Sequence, residues 1–469
     1  MWKPSINRHT ANKVQTLLYI LKKDISSGHL VAGEQLPTQD ELVEHTGIAK
    51  STIARAYQAA NSEKLINTVV GKGSFVAGKS DPFFQAVDHQ CNEMLDLRID
   101  YPLYAFDPLL SETLAQISKE DCQHLLSYQD HSGHIVYREA GLRWLHLNGV
   151  DCVLEQVSLT GGSQHAITVC LSSIAEAGEA VVVEELTYPG IRETALMLGI
   201  TLIPVRMDED GVIPEALENI LFEHKNVKAF YTLPTVHNPT TILTPEYRRR
   251  EIADICRKHR IFIVEDDIQR LFSDEQPVPY ANLLPELTFF IAGISKVISG
   301  GLRIAYVSAP KETVKTVRRR LLATYWTLPP LMAEIATRWI NDGTALATLK
   351  AKKEEAKQRQ LLVQKLLGSP YVVQKISSYY TWVELSSEWS SETFINEAHK
   401  NGVALLGTGT FQITQHSGQS ASQNLDQTFG ANGVRLCLGA ASNQKVLERG
   451  LKKISELLKD GPSSAIGVL

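Results

Sequence analysis

The chain has 469 residues, of which 43% are hydrophobic and 21% charged, and its formal net charge is −5. This length predicts two or three domains, and this composition excludes a disordered or fibrous protein. The six scattered cysteines form no C-x-x-C pair, which indicates a reducing, cytoplasmic compartment without a cysteine metal site. The N-terminal MWKPSINRHT has no apolar core of signal-peptide length, so the sequence predicts no signal peptide. It also predicts no membrane span, since it has no apolar run of about 18 residues.

The charge is distributed unevenly along the chain. Residues 1–79 contain ten Lys or Arg and six Asp or Glu, a net charge of +4, so the remainder carries −9. A basic head on an acidic body predicts two partners of different kind, one of them nucleic acid.

Residues 14–77 read as three helices followed by a short hairpin. The segment VQTLLYILKKDISSG has apolar residues at helical spacing, and Thr38 with Glu41 predicts a capping box at the start of a second helix. A third helix begins near Lys50 with apolar residues along one face, and NTVVGKGSFVA then reads as strand, turn, strand. This order predicts a winged helix-turn-helix. The second helix of that motif, which is the third helix of this segment, enters the major groove of DNA.

The candidate DNA contacts lie at the start of the third helix and at the tip of the hairpin. Hydroxyl and cationic groups at a helix start are ordinary phosphate contacts. The alternative is a solvated basic helix in an unrelated small domain. The candidate residues are Lys50, Ser51, Thr52, Arg55 and Lys72.

The head resembles the DNA-binding domain of the GntR superfamily of bacterial transcription regulators. The segments that carry the resemblance are SSGHLVAGEQLPT, ELVEHTGIAKSTIARAY and VVGKGSFV. The chain departs from that family at Ala49, where serine is usual and would cap the recognition helix. A missing cap costs about 1 kcal/mol. We expect a DNA-binding domain over residues 1–79, a linker over 80–94 and a second domain over 95–469.

After residue 95 short apolar strands alternate with amphipathic helices. The strands are AVVVEE, ITLIPVR, VKAFYTL, IFIVEDD, LTFFIAGIS and LRIAYVS. This alternation predicts an α/β domain with a mostly parallel sheet and helices on both faces. Ligands bind such sheets beyond the carboxyl ends of the strands.

Unusual polar residues follow several of these strands. In LTGGSQHAI the backbone of Gly162, Ser163 and Gln164 could bind a phosphate, although Gly-rich turns of this kind are common. Tyr188 in EELTYPG could cover a flat ring or be an ordinary turn residue, and Asn238 precedes a proline in LPTVHNPT. The three carboxylates that end IFIVEDD need a nearby cation, water or metal to offset their repulsion, and no metal-ligand spacing accompanies them.

Lys296 follows the apolar strand LTFFIAGIS, next to Ser295 and seven residues before Arg303. A lysine at a strand end usually lies on the surface. When it faces a pocket, desolvation or a cationic neighbour activates its amine to form a Schiff base with an aldehyde.

Together these motifs resemble the fold-type I pyridoxal-phosphate enzymes of the aspartate aminotransferase family. The resemblance implies a three-layer large domain, a smaller C-terminal α+β subdomain and pyridoxal 5'-phosphate as cofactor. Lys296 would form the Schiff base, Asp266 would pair with the pyridinium nitrogen, Asn238 would bind the ring 3-oxygen and Tyr188 would stack on the ring. It further implies that the phosphate is held by Gly162, Ser163, Gln164, Ser295, Arg303 and, from the neighbouring subunit, Tyr128. In NGVRLCLGA, Arg435 matches an arginine that clamps a substrate carboxylate.

One position departs from that family. Where a tyrosine usually follows the aspartate by two or three residues, this chain has Ile268 and Gln269. A glutamine cannot relay a proton as a phenol does, so cofactor binding is expected to persist while efficient transamination is not assured.

A winged helix fused to an aminotransferase-like domain resembles the MocR subfamily of GntR regulators. This resemblance implies a head-to-tail homodimer that binds operator DNA and senses the cofactor, or an amino compound, through an aldimine. Two alternatives stay open from the sequence. The chain could be an active aminotransferase with an accessory helix-turn-helix head, or a regulator that has lost the cofactor.

Overall fold

The computed structural model describes residues 2, 4, 13–26, 30, 34–63, 65–69, 73–76, 94–369, 372, 378–413, 430 and 432–462. The chain forms two compact units, Met1–Glu93 and Met94–Leu469. The predicted wing-tip residue Lys72 lies outside the described residues, as does nearly all of the expected linker.

The first unit contains three helices and a two-stranded wing. The helices are α1 (Lys13–Ser26), α2 (Gln39–Thr46) and α3 (Lys50–Ser62), and the antiparallel strands are β1 (Ile66–Val69) and β2 (Gly73–Val76). The predicted capping box is present at the start of α2, and Gly47 ends that helix with a left-handed φ of 67°. Helix α3 buries Ile53, Ala56, Tyr57 and Ala60 in the core of the unit, so its opposite face is left for solvent or ligand.

The second unit contains a seven-stranded sheet. Its spatial order is β4 (Val157–Thr160), β12 (Ala305–Ser308), β11 (Thr288–Gly293), β10 (Phe262–Asp266), β9 (Val227–Thr232), β5 (Ala180–Glu184) and β6 (Thr201–Val205). Strand β12 runs antiparallel to both of its neighbours, and the other pairs are parallel. The mostly parallel sheet predicted from the alternating pattern is therefore confirmed.

Helices cover both faces of this sheet. On one face lie α6 (Ser163–Ile174), α7 (Gly190–Leu198) and α11 (Val314–Thr324). On the other face lie α5 (Ile135–Leu147), α8 (Pro214–Glu223), α9 (Glu246–His259), α10 (Tyr280–Leu283) and α12 (Pro330–Asn341). Successive strand residues alternate between the two cores, because side chains in a strand point to opposite faces.

A smaller subdomain with its own core follows the long helix α13 (Thr344–Leu366). Its antiparallel sheet has the order β13 (Tyr380–Glu384), β16 (Gly433–Cys437) and β15 (Leu406–Gly407), and β14 (Val403–Ala404) pairs with β3 (Leu95–Asp96). The remaining elements of the unit are α4 (Leu110–Ile117), β7 (Met207–Asp208), β8 (Gly211–Val212), α14 (Ser391–Lys400), α15 (Thr408–Phe411) and α16 (Gln444–Asp460). The predicted fold class, a winged helix plus a three-layer large domain and a smaller α+β subdomain, is confirmed. None of the helices among the described residues has the length and apolar character that a membrane span requires.

Candidate cofactor and DNA-binding sites

Asp266 ends strand β10 at the carboxyl edge of the large sheet and faces the α6 side. It is almost fully buried, and Tyr231 Oη on the neighbouring strand β9 donates a hydrogen bond of 2.7 Å to its Oδ2. Burial raises the pKa of Asp266 to about 7, while the bond from Tyr231 lowers it. The other oxygen, Oδ1, is buried and has no hydrogen-bond partner among the described residues. This oxygen of the carboxyl group can thus accept a hydrogen bond from a bound group.

Each of the two carboxylates beside Asp266 faces an arginine on the opposite side of the sheet. Glu265 Oε1 lies 3.5 Å from Arg249 Nη1, and Asp267 Oδ2 lies 3.2 Å from Arg270 Nη1. Strand alternation therefore divides the acidic triplet, because only the middle residue faces the α6 side. Of the cation, water or metal that the sequence left open, the structure shows two buried arginines. No group of three or more His, Cys, Asp or Glu in the described part of the chain could hold a metal ion.

At the start of helix α6, Gly162 and Gly293 form a glycine cradle, in which larger residues would clash with their neighbours. Its N-cap, Gly162, has φ 89° and makes no side-chain cap bond. A Cβ at Gly162 would lie 2.5 Å from Arg303 Nη2, and a Cβ at Gly293 would lie 2.4 Å from Ser163 Oγ. The guanidinium also reaches Ser295 Oγ at 3.4 Å from Nη1. Two hydroxyls and one cation thus meet at a helix N-terminus, which is the usual chemistry of an anion site.

Tyr188 lies near the charged groups of this site, whereas the side chain of Gln164 is bound to α7. Burial raises the pKa of Tyr188, and the charges of Asp266, Arg303 and Arg435 also act on it. Gln164 Nε2 donates bonds of 2.9 Å to the carbonyl of residue 190 and to a threonine hydroxyl in α7. Of the predicted phosphate ligands, Gln164 can therefore contribute only its backbone N–H while those bonds persist.

Arg435 projects from β16 into the same pocket. Its Nη1 donates a bond of 2.7 Å to Asn238 Oδ1, and its Nη2 donates a bond of 2.8 Å to the carbonyl of Arg98. The guanidinium carbon is 4.7 Å from the ring centroid of Phe411, while the buried Nε has no hydrogen-bond partner among the described residues. Two donors of the predicted carboxylate clamp are thus engaged with the protein, one of them by Asn238, whose predicted partner was a ring oxygen.

Lys296 follows β11 and faces a carboxylate that the sequence analysis missed. Its Nζ lies 2.9 Å from Asp100 Oδ2 and also donates to the main-chain oxygen of Asp100. Gln269 Nε2 donates a bond of 3.0 Å to the same Oδ2. Asp100 comes from the loop after β3, far away in sequence, so no local motif could have indicated it. Tyr231 was missed too, although it lies on the same face of its strand as Ala229 and could have been found by strand alternation.

Tyr128 lies outside this pocket on the described chain. Its side chain is 86% exposed, and its ring packs edge-on against Trp326 with 6.4 Å between the ring centroids.

In the first unit four of the five predicted DNA contacts lie on the first half of α3. Lys50, Ser51 and Arg55 are exposed and Thr52 is half-buried. Ala49 occupies the N-cap position and makes no side-chain cap bond, as its residue type implied. Lys50 Nζ pairs with Asp40 on α2 at 2.7 Å, so one candidate cation already has an intramolecular partner.

Comparison with protein families matches both units. Residues 93–454 match the family "Aminotransferase class I and II", and residues 14–76 match "Bacterial regulatory proteins, gntR family". The first match covers more than half of the chain.

Curated relatives include regulators that match over nearly the full length. The chain is 27% identical to the uncharacterized HTH-type transcriptional regulator YdeF of Bacillus subtilis, over 98% of this chain and 97% of the relative. It is 25% identical to the HTH-type transcriptional regulator YjiR of Escherichia coli, over 69% of this chain and 75% of the relative. A 2-aminoadipate transaminase of Thermus thermophilus is also 25% identical, over 69% of this chain and 84% of the relative.

Solved structures of aminotransferases share the fold of the second unit. An archaeal alanine:glyoxylate aminotransferase aligns with a TM-score of 0.71 at 21% identity, over 81% of this chain and 95% of that chain. The α-aminoadipate aminotransferase LysN of Thermus thermophilus aligns with a TM-score of 0.67 at 22% identity, over 80% of this chain and 94% of that chain. At these identities the likeness concerns the fold.

Proposed function

Since the chain belongs to the aminotransferase class I and II family and carries a gntR-family head, we propose that it is a pyridoxal-phosphate-dependent transcriptional regulator of the MocR type. The observation that carries the proposal is that one chain contains both a winged helix and the site around Lys296. The full-length match to an HTH-type regulator supports regulation over the alternative, an aminotransferase with an accessory head. We assign DNA binding to residues 1–79, a linker to 80–94, and sensing and dimerisation to 95–469. A regulator of a bacterial chromosome acts in the cytoplasm.

The pocket fits pyridoxal phosphate on two observations from the chain itself. Asp266 Oδ1 is a buried acceptor with no partner in the part of the chain that the structure describes, and a ring N–H would satisfy it. The glycine cradle brings Ser163 and Arg303 to the start of α6, where a phosphate would be stabilised. The bound group would supply an aldehyde and an electron-withdrawing ring.

Each pocket residue has a proposed part in holding that group. Lys296 Nζ would attach it covalently, Asp266 would keep its ring nitrogen protonated and Tyr188 would cover the ring face. Asn238 would orient the ring through its side-chain amide. The phosphate would be held by Gly162, Ser163, Gln164, Ser295 and Arg303.

An amino compound would enter beside Lys296, where Arg435 would bind its carboxylate when it has one. This requires the guanidinium to exchange the Asn238 oxygen and the Arg98 carbonyl for the ligand. Such an exchange would move β16 relative to the loop that follows β3, which gives ligand binding a structural consequence. Ligand sensing requires that the ligand bind two arrangements of the protein with different affinity.

DNA would be bound by the start of α3. Lys50, Ser51, Thr52 and Arg55 would contact phosphates or base edges, and Lys72 would approach the backbone from the wing. One small basic unit gives modest affinity, and paired half-sites in a dimer supply the remainder.

The proposed dimer is a head-to-tail homodimer formed by the second units of two chains. Large apolar side chains are exposed around Tyr128, namely Leu126 at 85% and Trp326 at 56%. Exposed apolar groups of this size are typical of protein interfaces. Tyr128 would then reach the phosphate of the neighbouring subunit.

Two measurements on the full-length protein test this function. Borohydride reduction after addition of pyridoxal phosphate, followed by peptide mapping, should place the label on Lys296 and lose it in Lys296→Ala. A salt-sensitive shift of DNA from the gene's own promoter should change with the cofactor in wild type and not in Lys296→Ala. Turnover of amino donors with no DNA binding would instead support the aminotransferase.

A further inference from the structure

Asp100 is a carboxylate beside Lys296 that has no part in the proposed cofactor contacts. Its Oδ2 lies 2.9 Å from Lys296 Nζ and accepts a bond of 3.0 Å from Gln269 Nε2. The side chains of Asp100 and Lys296 are only 12% and 17% exposed, so this ion pair is shielded from solvent. Asp100 is therefore well placed to respond to the charge on the amine that would carry the cofactor.

Besides the Gln269 amide that donates to it, Asp100 has buried acceptor oxygens around it. Asp100 Oδ1 and Gln269 Oε1 are both buried and have no hydrogen-bond partner among the described residues. Gln269 itself is 4% exposed. A buried carboxylate beside an unpaired amide oxygen favours a cation at this position and disfavours a neutral or anionic group.

The charge on Lys296 changes when an amino ligand enters. Attachment of the cofactor would convert the Nζ ammonium into the nitrogen of a C=N bond, with loss of one water molecule and one proton, and would thereby remove the ammonium from Asp100. When a primary amine displaces Lys296, that C=N bond would break and a C=N bond to the ligand nitrogen would form. All three hydrogens of the ligand ammonium would end on Nζ, so that Lys296 would leave as an ammonium ion.

Building on the proposed function, we propose that Asp100 is the counter-ion that holds the displaced Lys296. The ion pair seen between them would form whenever Nζ is released. It would thereby shift the exchange toward the ligand-bound state. The ligand class is a primary amine or amino acid that enters as the ammonium ion. Asp100 is a positioning residue in this scheme, because it acts through Lys296.

The ion pair between Asp100 and Lys296 would also account for ligand binding without transamination. Transamination requires a base to remove a proton from the ligand carbon. A Lys296 held as an ammonium by Asp100 has no lone pair for that step. The same ion pair that favours ligand exchange would therefore stop the reaction there.

The test is Asp100→Asn, which keeps the shape of the side chain and removes its charge. Pyridoxal phosphate alone should bind the variant more tightly than wild type. In the cofactor-free variant the Lys296 ammonium is no longer stabilised by Asp100, so less is lost when the cofactor attaches to it. Methylamine should displace Lys296 from the bound cofactor less readily, because the released ammonium is no longer held. Both shifts should be roughly tenfold, as expected for a charged hydrogen bond, and absorbance titrations measure both.

The opposite direction of the two shifts separates this role from a structural one. A merely structural role would weaken cofactor binding and amine exchange together. Asp96→Asn is the matched control, since Asp96 lies on β3 and pairs with Arg98 instead, and it should change neither constant. Asp100→Glu, which keeps the charge, should return both constants toward wild type.

If Asp100→Asn fails to fold, Gln269→Ala takes its place. It removes the amide that orients Asp100 without changing any charge, and smaller shifts of about threefold in the same opposite directions are expected. Parallel weakening of both constants, or no change in either, would overturn the inference while leaving the regulator intact. A wild-type protein that takes no label at Lys296 would instead overturn the proposed function itself.

Discussion

Tyr231 and Asp266 are joined by a hydrogen bond of 2.7 Å between a phenol and a carboxylate on neighbouring strands. Tyr231 pairs in register with Val264, two residues before Asp266, so the two side chains share one face of the sheet. The tyrosine donates to the carboxylate form of Asp266 and so opposes the effect of burial on its pKa.

Tyr231→Phe should weaken binding of pyridoxal phosphate. Loss of the donor raises the pKa of Asp266 further, so that less of it is charged near neutral pH and less can pair with a cationic ring nitrogen. We expect the dissociation constant to rise about three- to tenfold at pH 7.5 and the difference to shrink at higher pH, measured by absorbance titration.

The matched control is Tyr306→Phe. Tyr306 is a buried tyrosine in the same sheet, but it faces the core on the opposite side. Equal loss of cofactor affinity in the two variants would refute a specific role for the Tyr231 bond.

The raised pKa of Asp266 predicts how stability depends on pH in the cofactor-free protein. Because the pKa is about 7 in the folded state and 3.8 in the reference state, the native protein retains the proton longer than the unfolded chain. The free energy of unfolding should therefore fall as the pH rises from about 4 to about 7. Asp266→Asn removes the contribution of Asp266 to this dependence, whereas Glu265, whose pKa burial also raises to about 7, keeps its own. The variant should be more stable than wild type at pH 8 by up to about 4 kcal/mol.

Chemical denaturation at several pH values, without cofactor, measures that difference. Asp254→Asn serves as the control, because Asp254 is exposed at 73% and pairs with Arg257 at the surface. A constant gap between wild type and Asp266→Asn from pH 5 to pH 8 would rule out the assigned titration.

Much of this pocket was predictable because parallel strands bring their carboxyl ends to one edge. Asp266, Ser163 and Lys296 each follow an apolar strand, and strand position alone brings them together. The partners that come from distant loops were not predictable. Asp100 meets Lys296 from 196 residues away, and Arg435 meets Asn238 from 197 residues away.

The acidic triplet shows a second limit of the sequence. Strand alternation could have assigned Glu265 and Asp267 to the face opposite Asp266. Their partners, Arg249 and Arg270, could not be identified, because Arg249 lies on a helix with several other arginines. Only packing shows that Arg249 is the one fully buried against Glu265.

Gly162→Ala should selectively weaken the phosphate site. The new methyl group would lie 2.5 Å from Arg303 Nη2, so the guanidinium must move away from the start of α6. We expect at least a tenfold loss of affinity for pyridoxal phosphate and little change for pyridoxal, which lacks the phosphate, because one charged contact is displaced.

Gly178→Ala provides the matched control for backbone strain. Gly178 has the same φ of 89°, but a Cβ there would meet nothing within 4 Å. Both variants should lose about 1 kcal/mol of stability from the left-handed backbone, while only Gly162→Ala should discriminate between the two aldehydes. Equal losses for the phosphorylated and unphosphorylated compounds would exclude the phosphate assignment.

Asp40→Asn should strengthen DNA binding by releasing a cation. Lys50 Nζ lies 2.7 Å from Asp40 in the unbound head, and this exposed pair must open before Lys50 can contact a phosphate. Exposed pairs are weak, so the gain should be about two- to fivefold at low salt. The logarithm of affinity should also fall more steeply with the logarithm of salt concentration, by up to about 0.9, because one more phosphate is neutralised.

Glu44→Gln separates this release from a simple change in net charge. Glu44 is an exposed acid on the same helix, and no ion pair joins it to Lys50 among the described residues. Its removal changes the charge of the head equally, and we expect less than a twofold gain in affinity, since the added attraction is screened by salt. Lys50→Ala should abolish the advantage of Asp40→Asn in the double variant. An advantage that persists without Lys50 would show that Asp40 acts by repelling DNA directly.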